Sequence, residues 1–147
     1  MPTEPAEAPE IELVPIPADA FDMELMRAVG PLFEPTLARE GDIRVIDLFR
    51  EILSQRWQLW LAQDDEGIAC ACVTHIAVRP LKKVVQILHV GGRNMERWLP
   101  RLADIETWSR LVIGAARVEI ASRNGWEKIL KRHGYQRRAV LLVKDLP

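Results

Sequence analysis

The sequence predicts an α/β fold: a single domain built on a mixed, mostly antiparallel sheet with a central β-α-β crossover. Three observations indicate it. β-rich runs separated by short polar turns occupy the middle of the chain, an amphipathic helical stripe follows them, and another β-rich run comes directly after that stripe. The chain of 147 residues, nearly half of them apolar, is long enough to bury one hydrophobic core.

The first ten residues, MPTEPAEAPE, are acidic and rich in proline, so residues 1–10 are predicted to form a flexible N-terminal tail before a domain at 11–147. The tail lacks the basic start and apolar centre of a secretory signal, and no apolar run reaches the roughly 18 residues of a transmembrane helix. A formal net charge of −1 argues against wholesale nucleic-acid binding. We therefore expect a cytoplasmic protein without membrane or nucleic-acid partners.

Residues 11–16 are predicted as a short strand, and a helix is expected from about residue 20 to residue 37, broken or kinked at Gly30 and Pro31. A second helix is predicted in GDIRVIDLFREILSQ, with Asp42 as its N-cap. The apolar stripe of this second helix comprises Ile43, Ile46, Phe49, Ile52 and Leu53.

The middle of the chain is predicted as a three-stranded antiparallel meander. Residues 57–63 (WQLWLAQ) and 67–78 (GIACACVTHIAV) flank the polar turn DDE, which is typical of a β-hairpin. The turn RPLKK then leads into residues 84–90 (VVQILHV), and such short connections join antiparallel neighbours.

Cys70 and Cys72 are predicted on one face of the second of these strands, at a spacing of roughly 6.5 Å that suits a disulfide poorly. His75 lies close enough in sequence to make a metal site an alternative. Structural zinc usually takes four ligands, however, and no second pair of ligands is present. We predict two reduced thiols in the core and no metal.

The glycines at 91 and 92 precede an apolar stripe that predicts a long helix ending at Gly114. The stripe comprises Trp98, Leu102, Ile105, Trp108 and Val112. Pro100 is tolerated only in a first helical turn, so the regular helix is expected to begin near Arg97, with residues 91–96 as a loop. ARVEIAS, residues 116–122, follows as a strand, and the strand–helix–strand connection implies parallel pairing.

The end of the chain is predicted to add a helix and a strand. NGWEKILKRHG forms a short helix, with Asn124 as its N-cap and Gly134 as its stop. RRAVLLVKDL, residues 137–146, is predicted as the last strand of the sheet.

The order of elements from Trp57 to Leu146 resembles the fold of the GCN5-related N-acetyltransferase (GNAT) superfamily. VVQILHVGG and ARVEIAS correspond to the two strands that splay apart in that family, and VEIASRNGWEKILKRHGYQRR is similar to its C-terminal part, in which a Gly-aromatic pair precedes the final strand. The resemblance implies that acetyl-CoA lies in the splay as the acyl donor, with its pyrophosphate on amides at the start of the following helix. The chain also resembles small GNAT-like proteins of tailed phages and prophages.

The residues that this resemblance assigns to cofactor binding are Val90, Gly91, Gly92, Arg93, Asn94, Arg97 and Asn124. Adjacent glycines let a backbone approach a phosphate closely, and helix N-termini attract anions. Basic residues around the last helix, Arg123 among them, offer a further phosphate contact, against the alternative of a solvated helix face. The family pattern Gln/Arg-x-x-Gly-x-Gly/Ala is absent, so the alternative for the glycines is an ordinary strand-to-helix turn.

His89 and Glu119 are the candidate catalytic residues, because acetyl transfer to an amine needs a base that accepts a proton. The alternatives are a half-buried His89 satisfied by the backbone and a solvated Glu119. The family often places a tyrosine acid four residues before the Gly-aromatic pair. That position holds Leu130 here, and the only tyrosine is Tyr135, within the pair itself.

Two functions follow as hypotheses. The first is an N-acetyltransferase that moves the acetyl group of acetyl-CoA to an amine of a small molecule or a protein. The second is a GNAT-fold structural or adaptor protein that has lost catalysis and contacts other phage proteins, associated with the particle of a tailed phage. Fold alone does not decide between them.

Overall fold

The computed structural model describes residues 11–147, apart from the side chain of Asn124. The tail predicted for residues 1–10 lies outside the described residues. One five-stranded sheet carries its strands in chain order, with antiparallel neighbours from β1 to β4 and a parallel pair at β4 and β5. The strands are β1 (Leu13–Ile16), β2 (Gln58–Asp64), β3 (Gly67–Arg79), β4 (Lys82–Gly92) and β5 (Arg117–Ile120). The predicted fold class is confirmed, including the meander and the parallel crossover.

In residues 11–147, five α-helices accompany the sheet: α1 (Met23–Glu40), α2 (Val45–Leu53), α3 (Met95–Trp98), α4 (Leu102–Trp108) and α5 (Asn124–Arg132). The first two begin and end differently from the prediction. Asp22 caps α1 by accepting a hydrogen bond from the Leu25 amide, and the helix continues through Gly30 and Pro31, so the predicted break is wrong. In α2, Arg44 rather than Asp42 is the N-cap, and its amide donates to the carboxylate of Asp47 at 2.9 Å.

The two faces of the sheet carry separate hydrophobic cores. The α4 face packs Trp60, Val85 and Ile87 against the helices that follow β4, and the α1 face packs Leu59 and Val73 against α1 and α2. From α2, the buried side chains are Leu48, Phe49 and Ile52, whereas Ile46 and Leu53 of the predicted stripe are about half exposed. Cys70 and Cys72 are fully buried in the core of the α4 face, as predicted, and both are free thiols.

The long helix predicted after β4 is a succession of different helical turns. A 3₁₀ turn at Leu99–Arg101 joins α3 to α4, and a π turn at Ser109–Ile113 continues α4 to its cap, Gly114, which has a positive φ of 73°. The helix begins at Met95, and Gly91 and Gly92 still belong to β4, so the predicted loop at 91–96 is confirmed only for residues 93 and 94. Because the π turn rotates the helix, Val112 leaves the predicted stripe and is 69% exposed.

The predicted last strand is wrong. The stretch 135–147 contains no strand, and within the described chain β5 is the edge of the sheet. The segment RRAVLLVKDL has the composition of a strand, but a strand also needs a neighbour that offers backbone hydrogen bonds, and this segment has none in the single chain.

Candidate functional site

The structure opens a cleft between the parallel strands β4 and β5. Their pairing runs from Val84 with Arg117 to Ile87 with Ile120, and β4 then continues for another five residues without β5 beside it. Leu88 is the extra residue of a β-bulge, because Val73 pairs with His89 while Thr74 pairs with Ile87. A bulge bends a strand and increases its twist, so the bulge at Leu88 lies where the two strands separate.

Two helices begin at the open end of this cleft. α3 follows the carboxyl end of β4, and α5 follows the carboxyl end of β5. Their tryptophans, Trp98 and Trp126, are in contact, with ring centroids 6.0 Å apart. The cleft is therefore bounded by two strand ends, with the aromatic pair joining the helices that follow them.

Gly91 and Gly92 are required by close packing inside the protein. A Cβ on Gly91 would lie 1.9 Å from the carbonyl oxygen of Leu32 in α1, and one on Gly92 would lie 2.3 Å from the carbonyl oxygen of Ala69 in β3. Gly92 also has a φ of +157°, which residues other than glycine rarely adopt. The fold alone thus accounts for both glycines.

Arg93 is held by an internal ion pair. Its guanidinium makes two hydrogen bonds, of 2.6 and 2.8 Å, to the carboxylate of Asp64 at the end of β2, and its amide donates to the carbonyl of Ala69. Such bidentate, charge-assisted pairs are strong. Arg93 holds the pKa of Asp64 at about 2, below the ordinary 3.8. Asn94, with a positive φ of 54°, points its amide toward the same carboxylate at 3.5 Å.

The other predicted cofactor residues lie around the cleft. The carbonyl of Val90 accepts a hydrogen bond of 3.0 Å from the hydroxyl of Thr36 in α1. Arg97 belongs to the first turn of α3, and its amide donates to the carbonyl of Asn94. Asn124 opens α5, but the N-cap is Arg123, whose side chain lines the space beside β5.

His89 stands on the part of β4 that β5 does not cover, and it faces α1. Its Nδ1 lies 3.0 Å from Oε2 of Glu40 at ion-pair distance, without the angle of a hydrogen bond, and its ring packs 5.6 Å from that of Trp57. The side chain is 12% exposed. Burial lowers the pKa of His89, and the neighbouring Glu40 carboxylate opposes that shift.

Glu119 is not a free carboxylate. It accepts hydrogen bonds from Arg79, the shorter of them 2.8 Å, and from Arg117 at 3.0 Å. These hydrogen bonds lower the pKa of Glu119. The register places Glu119 beside Gln86, which in turn contacts His75 at 3.1 Å. Glu119 and His89 therefore lie on the same face of the sheet, but Glu119 belongs to the paired part of β5.

Two acidic partners of the site were missed by the sequence analysis. Glu40 lies at the end of α1 and Asp64 at the end of β2, and neither stands in a motif with the residue that it contacts. The tertiary fold brings Glu40 to His89 and Asp64 to Arg93.

In residues 11–147, leaving out the Asn124 side chain, no group of three His, Cys, Asp or Glu residues could hold a metal ion. None of the helices in this part of the chain is long and apolar enough to span a membrane.

Solved structures of acetyltransferases share this architecture. An aminoglycoside acetyltransferase from an uncultured soil metagenomic sample, in complex with sisomicin, aligns over 93% of this chain and 97% of its own, with a TM-score of 0.67 and 11% identity. The chain has the fold of an N-acetyltransferase. Glucosamine-6-phosphate N-acetyltransferase from Arabidopsis thaliana aligns over 93% of this chain and 99% of its own, with a TM-score of 0.63 and 14% identity.

A third similar structure is the ribosomal-protein-alanine N-acetyltransferase of Brucella melitensis biovar Abortus 2308. It aligns over 93% of this chain and 98% of its own, with a TM-score of 0.64 and 9% identity. No family model matches the sequence, and no curated protein matches it. The chain is therefore similar to these proteins in its GNAT fold. The sequence identities are too low to indicate which substrate this chain acts on.

Proposed function

We propose that this chain is a GNAT-type N-acetyltransferase that transfers the acetyl group of acetyl-CoA to a primary amine, with His89 as the proton acceptor. The observation that supports the proposal most directly is the position of His89, directly after the bulge where β4 and β5 separate. A ligand lying between the diverging strands would present its reactive end beside this imidazole.

The edges of the cleft suit an extended, amide-bearing ligand. Beyond Ile87 and Ile120 the two strands no longer pair with each other, so backbone groups on their facing edges can bond to a ligand that mimics a strand. The phosphate part fits less well, because Arg93 is engaged with Asp64. We assign the phosphate contacts to Arg123, which lies at the start of α5.

Acetyl-CoA, when bound, would supply a thioester carbonyl to the acceptor amine; the amide bond would replace the carbon–sulfur bond, and coenzyme A would leave as a thiolate that takes up a proton from solvent. The imidazole of His89 accepts the proton that the amine nitrogen loses as its bond to the acetyl carbon forms. Burial keeps this imidazole in its neutral, proton-accepting form near pH 7, and Glu40 stabilises the imidazolium that results. Glu119 is already bound to two arginines, so we assign the proton transfer to His89 rather than to Glu119.

The acceptor is assigned only as a primary amine. The similar structures are named for acetylation of an aminoglycoside, of glucosamine-6-phosphate and of the alanine of a ribosomal protein. Small molecules and protein N-termini therefore both belong in the test panel.

Calorimetry and turnover test this proposal separately. Acetyl-CoA is expected to bind with an affinity of about −5 to −7 kcal/mol, in the micromolar range. Arg123→Ala should weaken this binding, while Arg27→Ala, an exposed arginine on α1, should leave it unchanged.

With an amine from the panel, His89→Gln should retain binding and lose turnover by about 100-fold or more. Undiminished turnover in folded His89→Gln would exclude His89 as the base.

A second candidate function is that of a GNAT-fold structural or adaptor protein. From the sequence we retain the hypothesis that such a protein is associated with the particle of a tailed phage. The observation that favours it is that Gly91, Gly92 and Arg93 are all engaged in packing or ion pairing within the chain. Absence of both heat and thermal shift at millimolar acetyl-CoA would favour this alternative over the enzyme.

A further inference from the structure

The sheet face that carries His89 is covered by α1 only in part. The helix contacts the last part of β4, where the hydroxyl of Thr36 bonds to the carbonyl of Val90 and Glu40 lies beside His89. It ends at Glu40, and Gly41 caps it. The paired part of β4 and β5 therefore lies beyond the end of α1, and the polar side chains that it presents on this face are half-buried.

Two arginines share one carboxylate on this open part of the face. Glu119 accepts hydrogen bonds of 3.3 and 2.8 Å from Arg79, and of 3.2 and 3.0 Å from Arg117. Arg79 belongs to β3 and Glu119 to β5, so the Arg79 side chain crosses β4 to reach its partner. The register puts Val84 under this crossing, and Val84 is fully buried although it belongs to neither hydrophobic core of the described residues.

This cluster keeps an excess of positive charge. The single carboxylate of Glu119 cannot neutralise two guanidinium groups, and Lys82, which pairs with Arg79 in the sheet, adds a third cation to the face. The side chains of Arg79 and Arg117 are 39% and 35% exposed, so both are partly desolvated and already held in place. Guanidinium groups positioned in this way suit the planar or tetrahedral oxygens of a carboxylate or a phosphate.

The end of the face at His89 is acidic. Glu40 lies 3.0 Å from the imidazole of His89, and the ring of Trp57 lies 5.6 Å from it. The carboxylate of Asp42, in the loop after α1, raises the pKa of His89 in the same sense as Glu40, against the larger effect of burial. Carboxylates and the face of an indole ring both attract an ammonium group. The face thus changes from acidic at His89 to basic at the two arginines.

We propose that Arg79 and Arg117 bind the anionic group of the acceptor, which is a zwitterionic amine: a primary amine that also carries a phosphate or a carboxylate. This inference rests on the proposed function and adds the substrate class to it. The register places the Cα of Glu119 roughly 8 Å from that of His89, two residues along the sheet and one strand across. An amine at His89 and an anion at the arginines therefore belong to one small molecule, with several bonds between its nitrogen and its anionic group.

Glu119 has two opposing effects in this site. Its carboxylate holds the two guanidinium groups together against their mutual repulsion, and it also competes with an incoming anion for them. Removing an arginine should therefore weaken the binding of an anionic amine, whereas removing the carboxylate should strengthen it. A cluster with a merely structural role would not give changes of opposite sign.

Matched pairs of amines test the substrate class. Aminopropyl phosphate is compared with aminopropanol, and aminopentanoate with pentylamine, by calorimetry on the whole chain with and without coenzyme A. The anionic member of a pair is expected to bind at least about tenfold more tightly than the neutral one, and the pair with the larger difference distinguishes phosphate from carboxylate. Equal binding within both pairs, or no binding of either anionic amine, would overturn the proposal. Binding of acetyl-CoA, measured in the same series, decides the proposed function separately, because the amine titrations need no turnover.

Variants of the cluster identify the groups that hold the anion. Arg117→Gln should weaken the binding of aminopropyl phosphate by about tenfold and leave that of aminopropanol unchanged. Glu119→Gln should strengthen the binding of aminopropyl phosphate. Arg101→Gln is the matched control, because Arg101 is 30% exposed and bound to Asp104 at 2.8 Å in α4, on the other face of the sheet.

Circular dichroism verifies that all of these variants are folded. Weaker binding of aminopropyl phosphate in both Arg117→Gln and Glu119→Gln would indicate a structural cluster and overturn the proposal. Weaker binding of acetyl-CoA in Arg117→Gln would mean that the arginines hold the cofactor rather than the acceptor, and would overturn it as well.

Discussion

Among single residues, Glu40 has a specific and testable effect on His89. Its carboxylate raises the pKa of the imidazole, against the lowering by burial. Glu40→Gln should therefore move the pKa of His89 further down and, in the proposed mechanism, move the acidic limb of the kcat/KM profile with it. Glu34→Gln, exposed on the same helix, is the control. Imidazole NMR titration measures the pKa without substrate, and an upward shift would contradict this account of the pair.

The Arg93–Asp64 ion pair makes stability depend on pH in acid. The folded-state pKa of Asp64 is about 2, below the 3.8 of a free carboxyl. The stabilisation is complete above pH 3.8 and is lost as the pH falls toward 2. Asp64→Asn should therefore destabilise the protein at pH 7 and much less near pH 2, in urea unfolding. Asp65→Asn, its exposed neighbour, should show no such pH dependence.

The glycines of β4 give a prediction about packing. Gly91→Ala places a methyl group 1.9 Å from a backbone oxygen of α1, so it should destabilise the protein by about 1–3 kcal/mol or prevent folding. Gly125→Ala is the control, because it lies in α5 with open space around it and should stabilise the helix by about 0.5–1 kcal/mol. Denaturant unfolding measures both. A neutral Gly91→Ala would mean that α1 does not approach β4 this closely.

At the scale of the elements, the helix after β4 changes its exposed side along its length. Leu102 is 1% exposed and Val112 is 69% exposed, although a regular helix would put both on one stripe. Leu102→Ala should cost about 2–5 kcal/mol of unfolding free energy. Val112→Ala should cost less than about 0.5 kcal/mol. Equal losses at the two positions would mean that the helix is regular and that the π turn is absent.

Strand β3 of the meander carries two buried thiols, Cys70 and Cys72, whose reaction rate measures how often the core opens. Burial raises the pKa of both, that of Cys72 to about 12, so the reactive thiolate is scarce in the folded protein. Thiol labelling of the native protein should therefore be slow and should accelerate with denaturant. Fast labelling of both thiols without denaturant would contradict their burial between β3 and α4.

At the scale of the whole molecule, the first and last elements of the described chain are packed against its middle. β1 pairs with β2 at the edge opposite β5, and the amide of Leu13 donates to Asp104 in α4. α5 is joined to the helices that follow β4 by Trp98 with Trp126 and by Tyr135 with Glu106. The cleft between β4 and β5 is thus supported from both sides.

The elements with local sequence signals could be predicted before the structure was known. The alternation of apolar residues and the short polar turns predicted the meander, the buried thiols, and the order of strands and helices around the crossover. These predictions hold because side-chain periodicity and turn chemistry are properties of neighbouring residues. The GNAT-like fold followed from the order of elements, and the structure confirms it.

The chemistry that those elements present depends on contacts between distant parts of the chain. Gly91 and Gly92 form part of a loop pattern in the sequence, yet their surroundings in α1 and β3 explain them as packing. Arg93 and His89 acquire the partners Asp64 and Glu40 from distant elements, and these contacts set which charges remain for a ligand. The last predicted strand is wrong for the same physical reason: composition encodes the tendency to extend, but a strand forms only where another strand edge offers hydrogen bonds.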